Sequence, residues 1–100
     1  MRIVAERSLR EYWESHADAE EPLQLWLREA RAAQWSSPHD IKSAHPSLSI
    51  LGNNRVCFNI KGNTYRLIVA VSYRASIVLI KFIGTHAEYS KIDAETVEMF

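Results

Sequence analysis

Cysteine, glycine and proline are scarce in this 100-residue chain, with one cysteine and three each of the other two. The lone Cys57 has no partner for an internal disulfide, which excludes a disulfide-stapled scaffold. Its place between Val56 and Phe58 reads as that of a small buried apolar residue. Three separated glycines leave no room for a glycine-rich phosphate loop. His16, His39, His45 and His86 stand at no metal-ligand spacing, so neither a metal site nor a cofactor is expected. Long apolar runs are missing too. The longest, Leu67 to Val71, is the length of a strand and far short of a membrane span. The opening MRIVAERSLR interleaves charges with apolar residues and does not read as a secretory signal, so a reduced, cytoplasmic setting is expected. No internal repeat or low-complexity tract interrupts the chain.

Net charge is also absent, but only on average. Lys42 to Lys91 carries seven basic residues against the single acid Glu88, hence +6. Residues 1–41 carry five basic and eight acidic groups, and the last nine residues add Asp93, Glu95 and Glu98, so each flank contributes −3. A basic middle between acidic flanks, with aromatic and imidazole side chains among its cations, is what a phosphate-rich partner would favour. Apolar residues make up 47% of the chain, too many for disorder at balanced charge. One domain over residues 1–100, with one modest core, is the expectation.

Periodicity divides the chain into helices and then strands. Met1 to Val4 suits an edge strand. Leu9, Tyr12, Trp13 and His16 recur at helical spacing over residues 6–17. Pro22 suits the first turn of a second helix, with Leu23, Trp26, Leu27, Ala30 and Ala33 on one side and Gln24, Arg28 and Arg31 towards water. The three tryptophans read as packing residues of this helical layer. Ser37 can cap a turn over Pro38 to Ser43, and Leu48 to Leu51 suits a short strand. Strand alternation comes next, with Val56, Phe58 and Ile60 on one face, then Tyr65 to Tyr73, then Ile77 to Ile83. Gly62-Asn63 and Arg74-Ala75-Ser76 mark the turns. The middle strand is apolar on both sides, as a central strand is. After Gly84 the chain should leave the sheet, with Ser90 or Asp93 capping a short last helix whose large apolar residues are Val97 and Phe100. The expected class is α+β, with two N-terminal helices packed on one face of a small antiparallel sheet and a short C-terminal helix. The opposite face is the natural place for a site.

The segment FNIKGNTYRLIVAVSY, then VLIKFIGTHAEYSKID, resembles the signature of the HigB family of toxins within the RelE-type superfamily. DIKSAHPS and the placement of the helices extend the resemblance over most of the chain. The resemblance implies a RelE-like fold and a ribosome-dependent mRNA endonuclease, an mRNA interferase that inhibits translation. It also implies a HigA-like helix-turn-helix antitoxin as partner, with the ribosome and mRNA, and no membrane. Two rivals stand beside that expectation: a non-catalytic RNA- or partner-binding member of the fold, and a RelE-fold toxin that poisons gyrase.

RNA can be cut without a metal when its 2′-hydroxyl attacks the neighbouring phosphate, given a base, fixed cations and an acid. Arg66 matches the arginine of the superfamily's Tyr-Arg pair and so looks like the phosphate clamp, or else pairs with a carboxylate at a strand end. His86 lies where many RelE-type chains place arginine. It suits proton transfer or phosphate binding, or else bonds a turn carbonyl. Tyr89, one helical turn on, could stack on a base, bond a phosphate or anchor the terminal segment. Lys81 interrupts the apolar alternation of Ile77, Leu79 and Ile83 and points into the open face or snorkels at an edge. Lys61 completes the expected catalytic set. Of the two lysines the superfamily often carries in this strand, one is replaced by Asn59 and the other by an apolar residue or Cys57, which shifts weight to His86. Asn59, Lys42, Arg55, Arg74 and Lys91 are the expected RNA contacts, with Lys42 alternatively a solvated helix charge.

Overall fold

The apolar stripes of the N-terminal third become helices at the expected places. The structure, a computed structural model, describes residues 1–99. Strand β1 (Arg2–Val4) leads into helix α1 (Glu6–Ser15), a 3₁₀ turn (Ala17–Ala19) and helix α2 (Glu20–Ala32). Helix α3 (Pro38–Ala44) is capped by Ser37, whose Oγ accepts the Asp40 amide at 3.3 Å. Strands β2 (Ser49–Ile50), β3 (Arg55–Ile60), β4 (Tyr65–Ser72) and β5 (Ile77–Thr85) come after it, then the short helix α4 (His86–Tyr89). None of the helices is long and apolar enough to cross a membrane.

The five strands lie in the order β1-β5-β4-β3-β2, so β4 is central, as its two apolar faces require. All neighbours are antiparallel except β1, which runs parallel to β5 and makes the sheet mixed. A parallel pair needs a long crossover, and here everything from α1 to β4 lies between the two strands.

Leu9, Leu23, Trp26, Leu27 and Ala30 pack on Val56, Phe58, Ile60, Tyr65, Leu67, Val69 and Val71. Each fully buried large side chain of this layer contributes roughly 1.5–3 kcal/mol. Trp26 and Trp35 are core residues in contact with Phe58, and Trp13 packs at the margin. The β3–β4 turn places its left-handed residues at Lys61 (φ 53°) and Gly62 (φ 63°). The reversed Gly-Asn order is therefore no obstacle, since Asn63 is not asked to take positive φ.

Two expectations needed correction. Alternation through β5 breaks at a bulge: Ile68 pairs with Phe82, but Val69 pairs with Ile80, so Lys81 is the extra residue. A bulge changes the parity of the strand. Ile83 accordingly joins Val78 and Ile80 in the helix-side core, away from the face that Leu79 occupies. The last helix also begins earlier than Ser90 or Asp93. Thr85 caps it in a reciprocal box with Glu88, a Thr-x-x-Glu pattern visible in the sequence. Residues 90–99 then cross the face opposite the helices without helix or strand. Ile92, Ala94 and Val97 rest there on a second small core of Cys57, Ile68 and Phe82. Phe100, expected as an anchor of a last helix, lies outside the described residues.

Candidate functional site

The face opposite the helices is built by alternate residues of the three long strands. Arg66 on β4 pairs with Asn59 on one side and Gly84 on the other. Its Nη1 donates to Asn59 Oδ1, and Asn59 Nδ2 donates to the Ser47 carbonyl at 3.1 Å. The guanidinium is thereby held by a neutral acceptor and, among the described residues, pairs with no carboxylate. Its central carbon lies 5.7 Å from the centre of the Tyr89 ring, a cation–π distance.

The segment Gly84-Thr85-His86-Ala87-Glu88-Tyr89 has a local physical logic. A Cβ on Gly84 would lie 2.6 Å from Cζ of Phe82 and 3.2 Å from Oε1 of Glu88, so only glycine lets that ring fold back along the strand. Thr85 Oγ1 accepts the Glu88 amide at 3.1 Å, and Glu88 Oε1 accepts the Thr85 amide at 2.8 Å. The box starts a single helical turn that presents His86 and carries Tyr89 back over the sheet. The His86 side chain is exposed, while its amide donates to the Thr64 carbonyl at 3.2 Å, tying α4 to the β3–β4 turn.

Tyr89 is half-buried near Cys57 and Phe82. Burial, and then the Cys57 thiol, push its phenol above the ordinary value, with Arg66 offsetting only part. It is therefore a hydrogen-bonding and stacking group rather than a base at neutral pH. Burial likewise raises the Cys57 thiol, against the opposing pull of Arg66 and Tyr89.

The other expected residues scatter. Lys61, on the β3–β4 turn, donates to Asp18 Oδ2 at 2.7 Å, and the Tyr65 hydroxyl bonds the other oxygen of the same carboxylate. Asp18 is held below the usual carboxylate range by Lys61 first and Tyr65 second. Tyr65 lies on the helix side, so this cluster draws Lys61 away from Arg66. Lys81 shares the site's face, but its Nζ donates to Glu98 Oε2 at 2.8 Å. Among the described residues Arg55 is the one buried charged side chain, 3% exposed. Its guanidinium donates to the carbonyls of Ala94 (3.3 Å) and Val97 (2.6 Å) and to Glu98 Oε1 (2.9 Å). While residues 94–98 enclose the group in this way, Arg55 offers no open contact to RNA. Lys42 donates to the Leu48 carbonyl at 2.6 Å. Arg74 is exposed in the β4–β5 turn, roughly 25 Å from Arg66 at the usual strand rise. Lys91 is exposed past α4.

Arg66, Asn59 and Tyr89 thus come together, His86 is exposed at the start of α4 three residues before Tyr89, and Lys81 and Arg55 lie further along the same face beneath the chain's own tail. Sequence reasoning passed over Glu98, which ties down both of those cations. Its signal was the −3 of the last nine residues set against the basic middle. Among the described residues no group of three His, Cys, Asp or Glu side chains is arranged to hold a metal ion.

Residues 19–92 match the HigB toxin family, described as the RelE-like toxic component of a toxin–antitoxin system. No curated protein matches the chain. The match takes in α2, α3, strands β2 to β5 and the Arg66–Tyr89 cluster, stopping short of β1 and α1, and the chain belongs to the HigB family of RelE-like toxins.

Proposed function

We propose that this toxin is a ribosome-dependent mRNA endonuclease that cuts translated message without a metal and is silenced by a HigA-like helix-turn-helix antitoxin. The observation that carries the reading is the fixed cation of Arg66, paired with no carboxylate among the described residues and set beside Asn59 and under Tyr89 on the face opposite the helices. A planar fork of donors at that point suits the non-bridging oxygens of a phosphodiester, whose negative charge grows as a 2′-oxygen attacks phosphorus.

In this scheme the 2′-oxygen bonds to phosphorus and gives up its proton, while the bond from phosphorus to the 5′-oxygen breaks and that oxygen takes a proton. The products are a 2′,3′-cyclic phosphate and a 5′-hydroxyl. His86 supplies an exposed imidazole, and we assign it protonation of the leaving 5′-oxygen. Tyr89 stacks on a base or donates to phosphate. Asn59 orients Arg66. A chain of zero net charge grips free RNA weakly, so the ribosome supplies the positioning, in the cytoplasm where translation occurs.

A second reading, a member of the fold that binds RNA or a protein partner without cutting, is favoured by one observation. Lys61 and Lys81 are both paired with carboxylates, which leaves the Arg66 cluster without a lysine base. A gyrase-poisoning activity would leave ribosome-bound message intact in the same way. Expression of the chain alone in bacteria, with toeprinting on translating ribosomes, tests the choice. Growth arrest with new message ends inside the ribosomal A site supports the nuclease. Arrest with intact message rules it out.

A further inference from the structure

The face that holds Arg66 also holds a carboxylate. Glu98 Oε1 accepts from Arg55 Nη2 at 2.9 Å, and Glu98 Oε2 accepts from Lys81 Nζ at 2.8 Å. Two oxygens on one centre, each bonded to a different cation, reproduce how the two non-bridging oxygens of a phosphodiester are held. The cations belong to the scaffold: Arg55 starts β3 and is almost fully buried, and Lys81 is the bulge residue of β5. The carboxylate does not. Its side chain is 57% exposed and sits on a segment without helix or strand. That segment is fastened to the sheet by bonds from Arg55 to the carbonyls of Ala94 and Val97, from Asn53 Nδ2 to the Glu95 carbonyl at 3.0 Å and from the Met99 amide to the Lys81 carbonyl at 3.1 Å, none of which holds the Glu98 carboxylate itself. Arg55 shares strand β3 with Asn59, and both point to the Arg66 side of the sheet, so the anion-holding pair continues the candidate site along one face.

We propose that Arg55 and Lys81 form a second phosphate-binding position for the RNA strand, and that Glu98 occupies it in the free protein as an internal phosphate mimic. RNA and Glu98 then compete for the same two cations. The free toxin is held at low affinity for unbound RNA until a strand positioned at Arg66 displaces the carboxylate. A swing of the exposed Glu98 side chain frees Arg55 Nη2 and Lys81 Nζ, while Arg55 Nη1 stays on the Ala94 and Val97 carbonyls and Ile92, Ala94 and Val97 stay on their core. This inference rests on the RNA reading of the face but not on cleavage.

The test is fluorescence anisotropy of a short labelled single-stranded RNA with the full chain. The proteins are wild type, Glu98→Gln, Glu98→Gln with Lys81→Met, and Glu95→Gln as an equal change of charge in the same exposed segment. Glu98→Gln should bind about tenfold more tightly than Glu95→Gln. Its affinity should fall more steeply with salt by about one phosphate contact, and the added Lys81→Met should return both to the wild-type level. Equal affinities for Glu98→Gln and Glu95→Gln, or a gain that survives Lys81→Met, overturn the proposal. If Glu98→Gln lowers the melting temperature, Glu98→Asp serves as the second variant. The shorter side chain keeps the charge in the segment but withdraws it from the cations, and it should give an intermediate gain; none overturns the proposal. Binding is read without cleavage. A chain that cuts no message yet shows the Glu98 effect loses the nuclease reading alone, and a chain that cuts message without the effect loses this inference alone.

Discussion

The Arg66 guanidinium lies 5.7 Å from the centre of the Tyr89 ring, and Asn59 Oδ1 accepts one of its donors. The ring therefore fixes the cation from above while a neutral amide fixes it from the side. Neither partner cancels its charge. Tyr89 can support Arg66 through its ring alone, because its half-buried phenol is pushed above the usual value and stays protonated at neutral pH.

Tyr89→Phe should consequently keep most of the cleavage, within a few-fold of wild type, whereas Tyr89→Ala should lose more. Removing the ring forfeits a contact of about 0.5–2 kcal/mol and frees the guanidinium to wander. Single-turnover cleavage on ribosome-bound message is the measurement. Equal, severe loss in both variants would show that the hydroxyl itself acts on substrate.

His86 separates proton transfer from phosphate binding. Glutamine can bond a phosphate but cannot exchange a proton near neutral pH, while arginine restores the charge that RelE-type chains often carry there. As the acid, His86 leaves both variants about a hundredfold slower or more, with ribosome binding retained. Substantial activity in His86→Arg would make it a phosphate ligand. Near-wild-type cleavage in His86→Gln would move the acid role to Tyr89 or a lysine.

Gly84→Ala should destabilise the fold by about 1–3 kcal/mol, the usual cost of overpacking. The sign opposes the ordinary preference of strands for alanine over glycine. Its cause is the 2.6 Å approach that a Cβ would make to Phe82, compounded by Glu88 of the helix cap. Urea denaturation at neutral pH reads it directly, and an alanine variant as stable as wild type would show that Phe82 can step aside freely.

Asp18 sets part of the acid limit of stability. Its carboxyl is held low by Lys61 and Tyr65, so the folded state binds its proton less readily than the unfolded chain does. The stabilisation is thus fully present above the unfolded value of about 3.9 and lost as pH falls through the lower folded value. Asp18→Asn should lower stability at pH 6 and flatten the decline below pH 4. Parallel pH–stability curves for variant and wild type would mean that the bridge contributes nothing, as many exposed ion pairs do.

Most of the fold was legible because burial imposes period. The stripe of Leu23, Trp26, Leu27 and Ala30 and the alternation of Val56, Phe58 and Ile60 both mark the helix-side core, and both were readable without coordinates. The bulge at Lys81 was not: the lysine does interrupt the alternation, but a lone lysine fits an open face or an edge equally well, and the shifted facing of Phe82 and Ile83 beyond it leaves no separate mark in a run apolar on both faces. Arg66 and Asn59 were readable as strand residues and Tyr89 as lying one helical turn past His86, and the structure brings these three side chains together. The pairing of Lys61 with Asp18 and of Arg55 and Lys81 with Glu98 spans 43, 43 and 17 residues of sequence. Contacts at such separation arise from how the chain folds back on itself, and local pattern carries no trace of them. The cap at Thr85 is the opposite case, since Thr-x-x-Glu was present in the sequence.

The most direct test of the central claim is the chemistry of the RNA ends left on translating ribosomes by wild type and by Arg66→Ala. Ribosomes need magnesium themselves, so end chemistry is more telling than chelation. Wild type should leave a 2′,3′-cyclic phosphate, or the 3′-phosphate formed by its opening, upstream and a 5′-hydroxyl downstream. Arg66→Ala should remain folded and cut roughly a hundredfold more slowly, the loss of about 3 kcal/mol expected for one transition-state contact. A 3′-hydroxyl on the upstream fragment, or unchanged cleavage by folded Arg66→Ala, would contradict it.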